Sequence, residues 1–347
     1  MTGLRNFVSS LLLGFGLSGC INSIYQPFVP DPNYVPVTAE TEFSSQFDYD
    51  HAPVSSLERV DRDHSTTHYT MYNVTIPSIG INGQRENQLH AQYFQSILLG
   101  KKPLIIVLPI YGSHTYPSRK ISDGLKNRSQ GRANILRILA DDFLFDWPAM
   151  TQAQFAEDFV EVLEHMVARV QSNVIDIRRY IDWAQNRPEV DPQHIGLIGF
   201  SMGAVIGGAI VAAEDRISVA ALIMGGANPH EIFATCSGRI GNTRREIIDK
   251  FGWSKEEFRV KVENVFKPVN VALTRAKVPP QKIIIFDSAF DHCIPKTARD
   301  ALWKALGQPE RYSFLYGHKT SFLSMTPLGF NFMRGKIYEF FGARGTL

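Results

Sequence analysis

Short apolar runs alternate with longer segments of helical periodicity from about residue 67 to the end of the chain. The apolar runs have the length of buried strands, and the first two are expected to pair as an antiparallel hairpin. The predicted strands are residues 69–76, 89–96, 103–108, 134–139, 195–200, 217–224, 283–286 and 312–316. Their order predicts an α/β fold, in which a mostly parallel sheet carries helices on both of its faces.

Two long helical stretches interrupt this alternation. Residues 154–186 have helical periodicity, and a break near Ser172-Asn173 is left open. Residues 226–282 form an insertion at a point where a plain fold needs about one helix. Its helix signals are Asn228-Pro229, a segment 243–251 that ends at Gly252, and the capping box Ser254-x-x-Glu257. The insertion is expected above the carboxyl ends of the strands, either as a lid or as an extension without a gating role.

The extreme N-terminus has the features of an export signal. Arg5 precedes an apolar segment, residues 8–17, that is too short to span a membrane and has the length of a signal-peptide core. The sequence Leu17-Ser18-Gly19-Cys20 follows and resembles the lipobox of bacterial lipoproteins. Residues 1–19 are therefore expected to be a signal peptide, with lipid attached to Cys20. The alternatives are an ordinary secretory signal with a chance cysteine, or an uncleaved anchor.

Residues 20–66 are predicted to connect this lipidated cysteine to a domain at 67–347. Segment 21–62 has no sustained period and contains five prolines, which is typical of an extended tether that holds the domain off the bilayer: Pro27, Pro30, Pro32, Pro36 and Pro53. Ile21, not Asp, follows Cys20; in a Gram-negative cell this resembles the sorting pattern for the outer membrane, facing the periplasm.

Composition narrows the class of protein. The chain of 347 residues is 44% hydrophobic and 20% charged, as a globular protein is, and its formal charge of +2 gives no reason to expect a nucleic-acid partner. No pair of His or Cys residues has ligand spacing on a single element, so neither a metal nor another cofactor is expected. Basic residues gather between 119 and 132; they are interpreted as a solvated helix face or, alternatively, as a contact for anionic lipid.

The most informative motif is Gly199-Phe200-Ser201-Met202-Gly203, which has the G-x-S-x-G form of a nucleophile elbow. An apolar run, 195–198, precedes it as a buried strand should. A small and apolar segment, 204–213, follows it as a helix close to a sheet should. The glycines are expected because side chains there would collide with neighbouring backbone. Phosphate binding is the alternative, but the spacing of a phosphate-binding loop is missing.

A carboxylate and a histidine follow in the chain order that such a site requires. Asp291 lies in the loop after the predicted strand 283–286, and His318 comes just after the predicted strand 312–316. Asp287 competes for the role of acid but is interpreted as a turn former at the strand end. His292 is too close to Asp291 in sequence to reach back over it. The prediction is that Asp291 orients His318, which takes the proton of Ser201.

An oxyanion hole needs two backbone N–H groups that point at the developing charge. The first is expected from Met202, the residue after the nucleophile. The second is expected from the loop after the predicted strand 103–108, where the Tyr111 amide is favoured and Gly112 is the alternative.

Residues 103–318 resemble the α/β-hydrolase superfamily. The acid loop Asp291-His-Cys-Ile-Pro295 resembles the D-x-x-[VI]-P loop of many members, and residues 176–203 look like the dienelactone hydrolase and acetyl esterase branch. Typical dienelactone hydrolases use a cysteine nucleophile, whereas this chain has Ser201. The resemblance therefore implies an esterase-like serine hydrolase and leaves its substrate open.

Three function hypotheses follow. A membrane-anchored serine hydrolase that cleaves carboxylic esters through Ser201, His318 and Asp291, with a small-molecule ester or acyl compound as its substrate, is favoured. The same machinery acting on an amide, a thioester or an acyl acceptor is the second. A non-catalytic envelope lipoprotein on a hydrolase scaffold is the third. Besides Cys20, the chain has Cys236 and Cys293, which are expected either to form a disulfide between the insertion and the acid loop or to remain unpaired.

Overall fold

Strands from both ends of the chain meet in one sheet. The structure is a computed structural model that describes residues 23–51, 59–78, 88–110, 116–139, 144–329 and 331–347. Within these residues the strands are β1 Ser23–Gln26, β2 Arg59–Ser65, β3 Tyr69–Pro77, β4 Gln88–Ser96, β5 Lys102–Val107, β6 Asn134–Ile138, β7 Val190–Phe200, β8 Ile217–Ile223, β9 Ile283–Ser288 and β10 Glu310–Phe314. All eight predicted strands are present, with β7 beginning five residues before its predicted start.

The order of strands across the sheet is β1-β10-β9-β8-β7-β5-β6-β4-β3-β2. The six strands from β10 to β6 are parallel, and the pairs at both margins are antiparallel. The carboxyl ends of the six parallel strands therefore lie along one edge of the sheet, called the carboxyl edge below. This edge is where ligands bind in open α/β sheets.

Helices cover both faces of the sheet, as the sequence predicted. They are α1 Glu42–Ser45, α2 Ser118–Ser129, α3 Trp147–Gln152, α4 Ala156–Gln185, α5 Met202–Ala213, α6 Pro229–Thr235, α7 Gly238–Phe251, α8 Lys255–Phe266, α9 Lys296–Ala305 and α10 Phe332–Gly342. Successive residues of a strand point to opposite faces. In β5, Leu104 belongs to the core under α4 and α5, while Ile105 belongs to the core under α2 and α10. Both are fully buried, so the sheet is covered on both sides.

Helix α4 runs without interruption from Ala156 to Gln185, so the break left open near Ser172-Asn173 does not occur. The Asn173 side chain donates to the Arg169 carbonyl oxygen one turn earlier, at 2.9 Å, and so stays within the helical pattern. Val174 and Ile175, which follow the pair, are both buried in the same core. Burial of Val174 and Ile175 stabilises the helix by more than the low helix propensity of Ser172 and Asn173 destabilises it.

The insertion 226–282 is largely helical, with α6, α7 and α8 in sequence. Ser254 caps α8 through the predicted capping box with Glu257. Helix α7 begins at Gly238, five residues earlier than predicted, and α6 ends at Thr235. Phe233, Phe258 and Phe266 bury their rings against the rest of the domain core.

Residues 23–51 lie on the domain, and the prediction of a free tether there is wrong. Strand β1 pairs with β10, and Phe47 is completely buried. The Arg178 guanidinium donates to the Phe47 carbonyl oxygen at 2.7 Å, and the Tyr49 hydroxyl donates to Asp182 at 2.7 Å. Prolines limit regular structure in this segment to β1 and α1, but a few aromatic anchors are enough to bury it on a folded surface.

A charged cluster at the end of α5 supports this contact. The Arg216 guanidinium makes two hydrogen bonds to the Glu214 carboxylate, at 2.7 and 2.6 Å, and Arg178 adds a third at 3.2 Å. Burial alone would raise the pKa of Glu214, but the hydrogen bonds and charge of Arg216 lower it to about 2. Arg178 therefore joins the buried Glu214 carboxylate to the N-terminal segment.

Candidate active site

Ser201 lies at the sharp turn between β7 and α5, at the carboxyl edge of the sheet. Its backbone has φ 50° and ψ −115°, a strained conformation for a residue with a side chain. A Cβ at Gly199 would lie 2.3 Å from the Gly203 carbonyl oxygen, and one at Gly203 would lie 2.2 Å from the Pro109 carbonyl oxygen. Only glycine fits at either position, as the sequence predicted for a nucleophile elbow.

The structure brings the three sequence-predicted side chains into one hydrogen-bonded series. Ser201 Oγ is 3.0 Å from His318 Nε2, and His318 Nδ1 is 2.6 Å from Asp291 Oδ2. Asp291 follows β9 and His318 follows β10, so neighbouring parallel strands deliver them to the same edge. The Asp291 side chain has no exposed surface, whereas that of His318 is 18% exposed. The imidazole therefore connects a buried carboxylate to an accessible hydroxyl.

The second oxygen of Asp291 is held by its own loop. Asp291 Oδ1 accepts hydrogen bonds from the backbone N–H groups of Cys293 and Ile294, at 2.8 and 2.9 Å. Because those donors fix one carboxylate oxygen, the other is turned toward His318 Nδ1. The loop thus positions the carboxylate beside the imidazole.

Asp287 has a different place, and its interpretation as a turn former is wrong. It lies inside β9, is buried, and accepts a hydrogen bond from Arg311 Nε at 2.7 Å. Arg299 Nε is 3.7 Å from the same carboxylate. Asp287 is therefore a buried counter-ion to two arginines.

Arg299 is a residue that sequence reasoning missed. Its guanidinium donates to the Ile294 carbonyl oxygen at 2.8 Å and to the Ala289 carbonyl oxygen at 3.5 Å, on the two sides of Asp291. The side chain is buried beneath the acid loop. The sequence around Arg299 in α9 gives no local signal for this role, because the carbonyl groups of Ile294 and Ala289 come together only in the folded loop.

A disulfide joins Cys236 to Cys293, which decides between the two alternatives left open by the sequence. Cys236 directly follows α6 of the insertion, and Cys293 donates its backbone N–H to Asp291. Ile232 and Ile294 pack around the bond. The covalent link therefore ties the insertion to the loop that holds the acid.

Removing this disulfide with Cys236→Ser and Cys293→Ser should lower both thermal stability and activity. The bond closes a chain segment of 57 residues, for which the entropic model gives a stabilisation of about 4 kcal/mol. Looser positioning of Asp291 should reduce kcat roughly tenfold, with less change in KM. Unfolding midpoints and steady-state kinetics of the double variant would be compared with those of Ser237→Ala, an exposed neighbour. Wild-type kcat in the double variant would show that the insertion does not help to hold the acid loop.

The structure describes one of the two predicted oxyanion donors, Met202. Met202 is the first residue of α5, so its backbone N–H belongs to the unpaired first turn at the positive end of that helix. Tyr111 and its alternative Gly112 lie outside the described residues. The chain up to Ile110 runs beside this helix start, because Pro109 contacts Gly203.

An apolar cavity of about 30 Å³ lies beside Met202 and Gly203. Leu108, Ile138 and Ile206 contribute to its walls, and Asn173 is the polar side chain among its described lining residues. A larger cavity of about 540 Å³ lies along α4 and α8 and is not lined by Ser201, Asp291 or His318. We associate the small cavity with the site because it adjoins the helix start that follows Ser201.

His292 is an exposed loop residue. Cys20 and the signal segment 1–19 lie outside the described residues. Among the residues that the structure describes, no cluster of three metal-ligating side chains is found. No helix in the same part of the chain is both long and apolar enough to cross a membrane.

Residues 178–305 match the model of a family described as "BAAT / Acyl-CoA thioester hydrolase C terminal". The matched segment contains Ser201 and Asp291 and ends before His318. It covers less than half of the chain. No curated protein matches the sequence.

Solved structures of known hydrolases share the fold. An acetyl xylan esterase from Paenibacillus sp. R4 has a TM-score of 0.63 at 17% identity, covering 89% of this chain and 96% of its own. Acetyl xylan esterase 1 from Thermoanaerobacterium sp. JW/SL YS485 has a TM-score of 0.60 at 14% identity, covering 85% and 93%. The Pyrococcus horikoshii acylaminoacyl peptidase has a TM-score of 0.52 at 12% identity, and the match covers 83% of this chain and 49% of the peptidase.

Fold and site together define the class of protein. The chain has the α/β-hydrolase fold, as the sequence predicted, and it is similar to known ester and acyl hydrolases. At the carboxyl edge of its sheet, Ser201, His318 and Asp291 are hydrogen-bonded in series.

Proposed function

We propose that the protein is a serine hydrolase that cleaves small carboxylic esters with Ser201 as nucleophile, His318 as general base and Asp291 as its partner. The observation that carries the proposal is the series of hydrogen bonds from Ser201 Oγ through the imidazole to a buried carboxylate, on a strained elbow. A carboxylate on Nδ1 fixes the imidazole tautomer whose Nε2 accepts a proton. A structural serine does not require such an arrangement.

The reaction follows from this geometry. His318 Nε2 takes the hydroxyl proton while Ser201 Oγ attacks the acyl carbon, and the carbonyl oxygen becomes an oxyanion. The Met202 N–H, with Tyr111 as the expected second donor, stabilises that charge. The protonated imidazole gives its proton to the departing alcohol, which leaves an acyl-enzyme. Water then attacks in the same way, so that ester and water yield acid and alcohol.

Thioesters are the second candidate substrate, because the matched family description names acyl-CoA thioester hydrolases. The same nucleophile and base serve both reactions, since only the leaving group differs. The chemistry of this site accordingly serves either an alcohol or a thiol as leaving group.

A matched substrate panel tests the proposal. Acetyl and butyryl oxyesters, the corresponding thioesters and the corresponding anilides would be compared by kcat/KM. We expect oxyester hydrolysis at least tenfold above that of anilides, together with covalent labelling by a fluorophosphonate. A preference for thioesters would support the second candidate. If the protein showed neither turnover nor labelling, the proposed function would be contradicted and the non-catalytic scaffold would be supported.

We also propose that the protein is anchored in a bacterial cell envelope by lipid on Cys20. The support is the sequence Leu17-Ser18-Gly19-Cys20 after a short apolar core. Several acyl chains on one residue give stable attachment, since each buried methylene contributes about 0.8 kcal/mol. Mass spectrometry of the mature N-terminus would detect the modification, and Cys20→Ala should release the protein from the membrane fraction.

A further inference from the structure

We infer that the anchored domain docks on the lipid bilayer with the carboxyl edge of its sheet, the edge that holds Ser201 and His318. This inference rests on the proposed lipidation of Cys20 and is independent of which bond the enzyme cleaves. It replaces the expectation that a tether holds the active site away from the membrane.

The direction of β1 places the anchor at this edge. Strand β1 pairs antiparallel with β10, and its first residue, Ser23, is opposite Phe314, the last residue of β10. Because the carboxyl end of β10 leads to His318, the chain enters the described domain on the same side as the active site. It then runs along the strand toward the opposite edge, where Gln26 is opposite Arg311.

The connection between anchor and strand is short. Three peptide units separate Cys20 from Ser23, which corresponds to a reach of at most about 10 Å when fully extended. The polar layer on each side of a bilayer is roughly 5–8 Å thick. A lipidated Cys20 therefore leaves the carboxyl edge at the level of the headgroups, with no length for the long spacer that the prolines suggested.

This edge carries a group of exposed apolar side chains, called the apolar rim below. Phe290, beside Asp291, is 60% exposed, and Leu328 is 84% exposed. Leu315 and Leu323 complete the rim, and both are also exposed. Phe290 and Leu315 closely follow β9 and β10, next to the strand where the N-terminal segment enters. Leu323 and Leu328 lie in two short 3-10 helices after His318.

Contacts within these loops keep the rim together. The Phe290 N–H donates to the Tyr316 carbonyl oxygen at 3.1 Å, which joins the acid loop to the chain after β10. The backbone at Gly329 packs against that of Leu323. Exposed Lys319 lies among these apolar residues, as expected of a surface that meets anionic headgroups.

Another exposed apolar loop lies at the opposite edge and provides a matched control. Leu99 is 96% exposed and precedes β5, whose first residues are at the amino ends of the parallel strands. The six residues of β5 alone separate the two edges by roughly 17 Å. An anchor attached within about 10 Å of the carboxyl edge therefore brings Leu328, and not Leu99, to the bilayer.

Quenching of an introduced tryptophan tests this orientation. Leu328→Trp and Leu99→Trp would be made in the full-length chain, purified from membranes and reconstituted in phosphatidylethanolamine and phosphatidylglycerol vesicles with or without brominated acyl chains. The native tryptophans provide the same background in both variants. We expect bromine to reduce the fluorescence added by Leu328→Trp at least twofold and to leave the fluorescence added by Leu99→Trp unchanged.

Three results would overturn the inference: quenching in Leu99→Trp as strong as that in Leu328→Trp, quenching of the added indole in neither variant, or a mature N-terminus whose Cys20 carries no lipid. The measurement does not depend on catalysis, because the same quenching is expected when Ser201→Ala is added to Leu328→Trp. Absence of ester hydrolysis in the wild type, with quenching in Leu328→Trp intact, would contradict the proposed reaction alone.

Discussion

Replacing Ser201 with alanine is expected to abolish fluorophosphonate labelling and to lower kcat by at least about a thousandfold. The substitution removes the attacking oxygen and leaves the Met202 amide and the His318–Asp291 hydrogen bond in place. KM should change far less than kcat, because binding contacts are retained. Steady-state kinetics on a soluble ester, with labelling detected by intact-protein mass, would measure both effects.

The fold should survive this change. Ser201 already adopts a positive φ of 50°, so alanine meets the same backbone strain, and its side chain makes no capping hydrogen bond to α5. Ser237→Ala serves as the matched control, because Ser237 is exposed and its side chain likewise makes no capping bond. A folded Ser201→Ala protein with the wild-type rate would show that another residue is the nucleophile.

Asp291→Asn is expected to lower kcat by about 10⁴-fold, as in other sites where the acid partner becomes an amide. The Cys293 and Ile294 N–H groups would select the oxygen of the introduced amide, so its NH₂ group would face His318 Nδ1. The imidazole would then carry its proton on Nε2, where it cannot accept the proton of Ser201. Rates measured across the pH range, with melting curves alongside, would separate this loss from unfolding.

Asp287→Asn provides the contrast, because Asp287 lies in the same strand and loop region but faces Arg311 and Arg299. Removing one partner of a buried ion pair costs about 3–5 kcal/mol of stability. The folded fraction should therefore keep most of its kcat while its melting temperature falls. The assignment of the acid would be reversed if Asp287→Asn were inactive and Asp291→Asn nearly normal.

Local patterns in the chain were sufficient for the class of fold and for the chemical groups of the site. Strand and helix periodicities require only neighbouring residues, and all eight predicted strands are present. The elbow at Ser201 is equally local, because its glycines and its strained backbone belong to one turn. The chain order of Ser201, Asp291 and His318 identified three residues that the structure brings into hydrogen-bonded contact.

Contacts between distant residues decided the rest. The surroundings of Asp287 depend on Arg311, 24 residues away, so a sequence window at the strand end could not show its buried ion pair. Docking of the N-terminal segment depends on Phe47 and on Arg178, 131 residues further along. Likewise, the carbonyl oxygens held by Arg299 meet its guanidinium only after the loop has folded. The local sequence shows where prolines and charged residues occur. Whether those residues are buried or paired depends on which surfaces the fold brings together.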